Sequence, residues 1–174
     1  MEKKILEKKD LLMIKINKFF EDTENITHVI NILNNKYNIS LRIVDWFVTN
    51  YCKKKNICWF NNTSRFVVYI SYKLQLKAYS KKLFDPFCRR DRIYFQYDKD
   101  NYLITTVGQL NFFKWMIENN IIDYIKSNYE EIERDMHNTI KTTCYIVKKK
   151  RRELSKSAIK TINKNTAKIV LSFE

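Results

Sequence analysis

Glycine and proline are almost missing from this chain, with one of each in 174 residues. A lone Gly108 cannot build a glycine-rich loop around phosphate, which excludes Walker-type and dinucleotide-binding fingerprints. A lone Pro86 excludes collagen-like and proline-rich linker architectures. Histidine is nearly as scarce: His28 and His137 are the two in the chain, and neither stands at a ligand spacing from another candidate ligand. The four cysteines (Cys52, Cys58, Cys88 and Cys144) contain no Cys-x2-Cys pair and are scattered, so they read as reduced thiols rather than a disulfide framework. A zinc site would have to be assembled in space from Cys52, Cys58, Cys88 and a distant histidine; the expectation is no metal and no cofactor. Long apolar runs are absent too. Lysines interrupt the first twenty residues throughout, leaving neither a signal-peptide core nor a membrane span, and the expectation is a soluble intracellular protein.

What is abundant is positive charge. Lys and Arg total 33 against 19 Asp and Glu, a formal net charge of +14. Such a chain repels its own copies and attracts phosphate-rich partners. The charge is uneven: residues 141–174 carry +8, whereas residues 101–140 carry −3. An anion-binding surface should therefore be local. Counts of 25 Lys, 22 Ile and 18 Asn reflect an A+T-rich coding sequence rather than the physics of the fold.

Periodicity predicts an α+β fold. Three helices open the chain: residues 2–20, a second helix capped by Thr23 with Ile26, Val29, Ile30 and Leu33 on one stripe, and a third capped by Ser40 with Val44, Phe47, Val48 and Tyr51 inward. The period then changes to 2. Ile57–Phe60, a turn at 61–64 and a long strand from Arg65 to Tyr79 read as a hairpin; Arg92–Tyr97 and Tyr102–Thr105 read as a second, the two contributing to a central antiparallel sheet. Thr106 and Gln109 form a capping box opening a helix with Leu110, Phe113 and Ile117 inside. Asn119 and Asn120 end it, and a second helix of the pair carries Ile125, Tyr129, Ile132, Met136 and Ile140. Ala167–Phe173 alternates as a C-terminal strand. The expectation is one compact domain over 1–174, with a sub-unit boundary near 80–90 dividing a helical and hairpin unit, 1–80, from a mixed unit, 90–174.

Three helices followed by a hairpin reproduce the order of a winged helix-turn-helix, in which the third helix enters the major groove. Its outer face would carry Arg42, Trp46, Thr49, Asn50 and Lys53; Arg42 and Asn50 are the residue types that read guanine and adenine edges, and Lys53, Lys54 and Lys55 could hold phosphate. The plainer alternative is a packed helix with a solvated outer face. Lys148, Lys149, Lys150, Arg151 and Arg152 form the densest cationic run, either a polyanion-binding arm or a solvated linker. In the loop Phe84-Asp85-Pro86-Phe87-Cys88-Arg89-Arg90, the paired arginines could fork onto phosphate, or Asp85 and Asp91 could hold them and lock the loop; the locked loop is favoured. Carboxylates at Asp85, Asp91, Asp98 and Asp100 could serve a metal-dependent nuclease, although Asp98-Lys99-Asp100-Asn101 is ordinary turn chemistry. The aromatics could stack unpaired bases, but most fall on apolar stripes and read as core.

Several segments carry a family likeness. Ser40 through Tyr51, Tyr72 through Arg90 with its Phe84-Asp85-Pro86-Phe87-Cys88-Arg89-Arg90 stretch, and Thr105-Thr106-Val107-Gly108-Gln109-Leu110-Asn111-Phe112-Phe113 resemble a family from nucleocytoplasmic large DNA viruses, with the likeness running from about residue 38 to the end. No fold, activity or catalytic residue comes with it. The resemblance implies a viral protein of the cytoplasmic factory or the virion. Together these readings predict a non-enzymatic protein that binds nucleic acid, DNA more than RNA, through phosphates. The alternative is a minor virion structural protein that contacts acidic partner proteins.

Overall fold

A computed structural model of the chain describes residues 7–61, 64–99 and 101–147. The chain divides into two compact units, 1–137 and 138–174, so residues 80–90 lie inside the first unit. The packing below belongs to that unit. The expected C-terminal strand, 167–173, and the cationic run Lys148–Arg152 lie outside the described residues.

The N-terminal helices form as the sequence predicts, with local adjustments. Helix α1 (Lys8–Phe20) buries Leu12, Ile16 and Phe20. Helix α2 (Thr23–Leu33) is capped one residue earlier than expected, by Asp22, whose carboxylate accepts from the Glu24 amide at 3.0 Å. Ser40 caps α3 (Leu41–Trp46), which continues through a π-helical turn, Phe47–Tyr51, into α4 (Cys52–Lys55). Left-handed Asn56 then stops the helix.

The segment after the first hairpin corrects the sequence reading. Strands β1 (Cys58–Asn61) and β2 (Ser64–Val67) pair antiparallel, but the chain turns helical at once in α5 (Val68–Leu83), kinked at Ser80 where φ is 55°. The alternation Phe66, Val68, Ile70, Tyr72, Leu74 suggested a strand with one buried face. The fold instead buries Val68 and Tyr72, four apart, and leaves Ile70 and Leu74 exposed. Helical spacing lets Tyr72 meet Phe84 and Trp115, with ring centroids 6.0 and 6.2 Å away, while the Trp115 indole donates to Ser71 Oγ at 3.0 Å. Burial of these large rings outweighs β-propensity.

The second hairpin forms where expected, from β3 (Ile93–Gln96) and β4 (Tyr102–Thr105), with Ile93 opposite Thr105 and Gln96 opposite Tyr102. The two hairpins are separate two-stranded sheets, not one central sheet. Helices α6 (Val107–Glu118), α7 (Ile121–Ser127) and α8 (Tyr129–Val147) follow, with left-handed Asn120 dividing the first two. Architecture and class are therefore α+β.

Helix α6 is the centre of the first unit. Residues on every side of it are buried, including Gly108, Leu110, Phe112, Phe113, Trp115 and Met116, and α1, α2, α5 and α7 all pack against it. Thr106 caps it, accepting from the Gln109 amide at 3.1 Å. Gln109 does not complete the capping box: its side chain accepts from Thr105 Oγ1 and donates to the Pro86 carbonyl, both at 2.8 Å. A buried loop carbonyl competes successfully for that amide.

Candidate nucleic-acid interface

The loop 84–92 is clamped onto the start of α6. The Asp85 amide donates to the Gly108 carbonyl at 3.2 Å, and Asn111 Nδ2 donates to the Leu83 carbonyl at 2.8 Å. The chain's one glycine stands where this approach is closest. A Cβ on Gly108 would lie 3.0 Å from the Lys82 carbonyl oxygen and 3.3 Å from backbone atoms of Leu83 and Phe84. Glycine is required here for close approach, not for a left-handed turn.

Within the loop the two arginines part company. Arg89 forks onto Asp85 through Nε at 2.9 Å and a terminal nitrogen at 2.7 Å, and its guanidinium lies over the Phe87 ring. Asp85 is 6% exposed. This is the locked loop, and it commits Arg89 to an internal carboxylate rather than to phosphate. The pair lies within electrostatic reach of Asp45 and Tyr72. Burial, then the nearby Asp85 charge, holds the Asp45 carboxyl above the usual carboxylate range, with Arg89 and Lys81 opposing the rise. Burial above all pushes the Tyr72 phenol up to about 12.

A carboxyl whose folded value is raised contributes stability below its unfolded value, about 3.9, and loses that contribution as pH rises through the folded value. Ionised Asp45 is thus a net cost at neutral pH. Asp45→Asn is expected to raise the urea midpoint at pH 7, with the gain vanishing near pH 3; an equal gain at both would show that charge is not the cause.

Arg90 instead lines a cavity of about 600 Å³ together with Lys8, Lys9, Lys77, Lys82 and, among the described residues, one carboxylate, Asp91. Three elements build it. The start of α1 supplies Lys8 and Lys9, the kinked end of α5 supplies Lys77 and Lys82, and the clamped loop supplies Arg90 and Asp91, with Thr106 and Val107 of α6 completing the wall. Ser80 turns the chain so that Lys77 and Lys82 flank one space, and its Oγ accepts from the Lys82 amide at 3.3 Å. Lys8 joins α1 to α5 by donating to the Ala78 carbonyl, with its ammonium 5.4 Å from the Tyr79 ring centroid. Lys9, Lys77, Lys82 and Arg90 form no ion pair among the described residues.

The third helix is placed differently. Arg42, Asn50 and Lys53 are exposed, as a groove-reading face requires. The acidic side of α8, however, covers the neighbouring surface. Asp135 accepts from the Trp46 indole at 3.2 Å and pairs with Lys54, and Glu131 pairs with Lys55 at 3.3 Å. The Tyr51 hydroxyl, then Lys55, hold the Glu131 carboxyl below its usual range. Lys53 lies beside Tyr69, 5.9 Å from its ring centroid. Two carboxylates therefore stand at the end of the helix that a winged-helix arrangement would turn toward phosphates. Lys54 and Lys55 are neutralised within the chain.

Of the cations singled out from sequence, Arg90 alone lines the cavity among the described residues. Its partners Lys8, Lys9, Lys77 and Lys82 are not among the cations that the sequence singles out, because residues 65–79 read there as a strand. The density of lysines around Ser80 was the available signal. Among the described residues no group of three or more His, Cys, Asp or Glu side chains stands where it could hold a metal ion. Cys52, Cys58 and Cys88 are free thiols, and burial pushes that of Cys52 up. No helix among the described residues is long and apolar enough to cross a membrane.

The loop clamp and the α6 start combine the segments that carried the sequence resemblance. A model described as a family of unknown function, DUF7197, matches residues 1–173. The chain belongs to DUF7197. A relative in Acanthamoeba polyphaga mimivirus, "Uncharacterized protein L507", is 40% identical to the DUF7197 chain over 141 residues, which is 75% of this chain. The aligned part covers 54% of the relative, so the chain spans about half of that protein's length. The mimivirus relative agrees with the resemblance to large DNA virus proteins. No solved structure matches the DUF7197 chain.

Proposed function

We propose that this protein binds nucleic acid, DNA above all, by holding backbone phosphates at the cavity of Lys9, Lys77, Lys82 and Arg90, and that it does so without catalysing a reaction. The carrying observation is the composition of that cavity: among the described residues five cations line it with one carboxylate, beside a loop held to α6 by the Gln109–Pro86 and Asn111–Leu83 hydrogen bonds. Five cations held together with a single carboxylate among them repel one another, and a polyanion relieves the repulsion while releasing its own condensed counterions. The mimivirus relative supplies a viral context, in which the proposed role is genome handling or late expression in the viral factory, with packaging into the virion as a further expectation. The run Lys148–Arg152 is proposed to add phosphate contacts.

Neutralising four or five phosphates predicts a log-log salt slope of about −4 or steeper on duplex DNA. Titration of a labelled duplex by the full chain at several salt concentrations measures it. A flat response, or no association at low salt, contradicts the proposal.

A further inference from the structure

We infer that the phosphate cavity continues onto an aromatic face of the second hairpin, and that the preferred ligand is single-stranded nucleic acid. The inference rests on the phosphate-binding reading and deepens it. Strands β3 and β4 turn one face inward and the other to solvent. Phe95 points in and is buried, its ring 5.9 Å from that of Phe20. Tyr94, Gln96, Tyr102 and Ile104 all point out, because Tyr94 faces Ile104 and Gln96 faces Tyr102 across the register. Tyr94 is 75% exposed and Tyr102 61%, and their rings meet edge to face at 5.5 Å. The two rings thus offer differently oriented π-faces to solvent on a short sheet anchored from behind.

The space beside this face adjoins the cationic cavity through shared lining residues. A groove of about 540 Å³ between α1 and β3 shares Lys9 and Val107 with the cavity at one end. At the other end it shares Tyr94 and Gln96 with a smaller hollow of about 270 Å³, which Lys99, Asn101 and Tyr102 complete. Glu21 is the one carboxylate along the groove. Phosphate-holding cations at one end and exposed tyrosines with amide side chains at the other are the parts of a single-strand site. Cations follow the backbone while rings stack on bases, whatever their sequence. Charge complementarity favours nucleic acid over a protein partner for this tract. The tyrosines favour an unpaired strand, because a duplex keeps its base faces stacked internally.

The test is fluorescence anisotropy with the full chain at one low salt concentration, using labelled oligothymidine of twelve residues, a duplex of twelve base pairs and inorganic polyphosphate. The single strand is expected to bind about tenfold more tightly than the duplex. Tyr94→Ala with Tyr102→Ala should weaken the single strand by roughly tenfold or more, change duplex and polyphosphate binding less than twofold, and leave the salt slope unaltered. Tyr94→Phe with Tyr102→Phe keeps the rings and should restore single-strand binding; both side chains are exposed, so the core is untouched. Duplex or polyphosphate binding as tight as the single strand, or an alanine pair without effect, overturns this inference and leaves phosphate binding standing. Failure of all three ligands to bind overturns both.

Discussion

Arg89→Ala is expected to destabilise the protein by about 2–3 kcal/mol, measured by urea unfolding at neutral pH. The substitution strips the partner from Asp85, a carboxylate that is 6% exposed and close enough to Asp45 for the two charges to oppose each other. Breaking a buried pair costs about 3–5 kcal/mol because a charge is left without compensation. The figure here is lower because the Arg89 side chain is 62% exposed and water replaces part of what it supplied. Adding Asp85→Asn should recover much of the loss, since the orphaned charge goes with it. A loss in the double variant equal to the sum of the losses in the two single variants would show that the fork and its buried carboxylate are not coupled.

Gly108→Val is the second large effect, at about 2–3 kcal/mol, and Gly108→Ala a milder one. Added carbon would meet the backbone of residues 82–84, with the Lys82 carbonyl oxygen 3.0 Å from the Cβ position. Backbone cannot rotate away as a side-chain tip can, so α6 and the α5 end must separate. That movement also spreads Lys82 from Arg90. Thermal unfolding reads the stability loss, and the valine variant should also bind nucleic acid more weakly. An unchanged melting temperature would mean that the close approach does not constrain the fold.

Some of this was legible in the sequence because local rules decided it. The β3–β4 hairpin follows from two alternating runs around a polar turn, and Thr106 marks the α6 start by its own hydroxyl. The α5 error has a physical origin. Over a few residues, apolar side chains at every second position are compatible with either period, and what settles the matter is distant: Phe84 and Trp115 offer a pocket to Tyr72 that a strand would not fill. Ile70 and Leu74, exposed in the fold, gave the alternation its false face. The site was less legible still. Arg90 was found because arginines adjoin in a distinctive loop. Which of the two arginines is free depends on Asp85 being buried, and Lys9, Lys77 and Lys82 meet Arg90 only after α1, α5 and α6 have packed. At helix three the sequence reading does not include α8, whose carboxylates come from residues some eighty positions later.

Charge reversal separates the two surfaces most directly. Lys82→Glu with Arg90→Glu places two carboxylates in the cavity, and Arg42→Glu with Lys53→Glu places two on the exposed side of the third helix; each is titrated with the same labelled oligonucleotide across a series of salt concentrations. The cavity pair is expected to lose at least tenfold in affinity at low salt and to flatten the log-log slope by about two, with the helix-three pair within about threefold of the unaltered chain. The reverse pattern, with binding lost from helix three and kept by the cavity variant, would contradict the account.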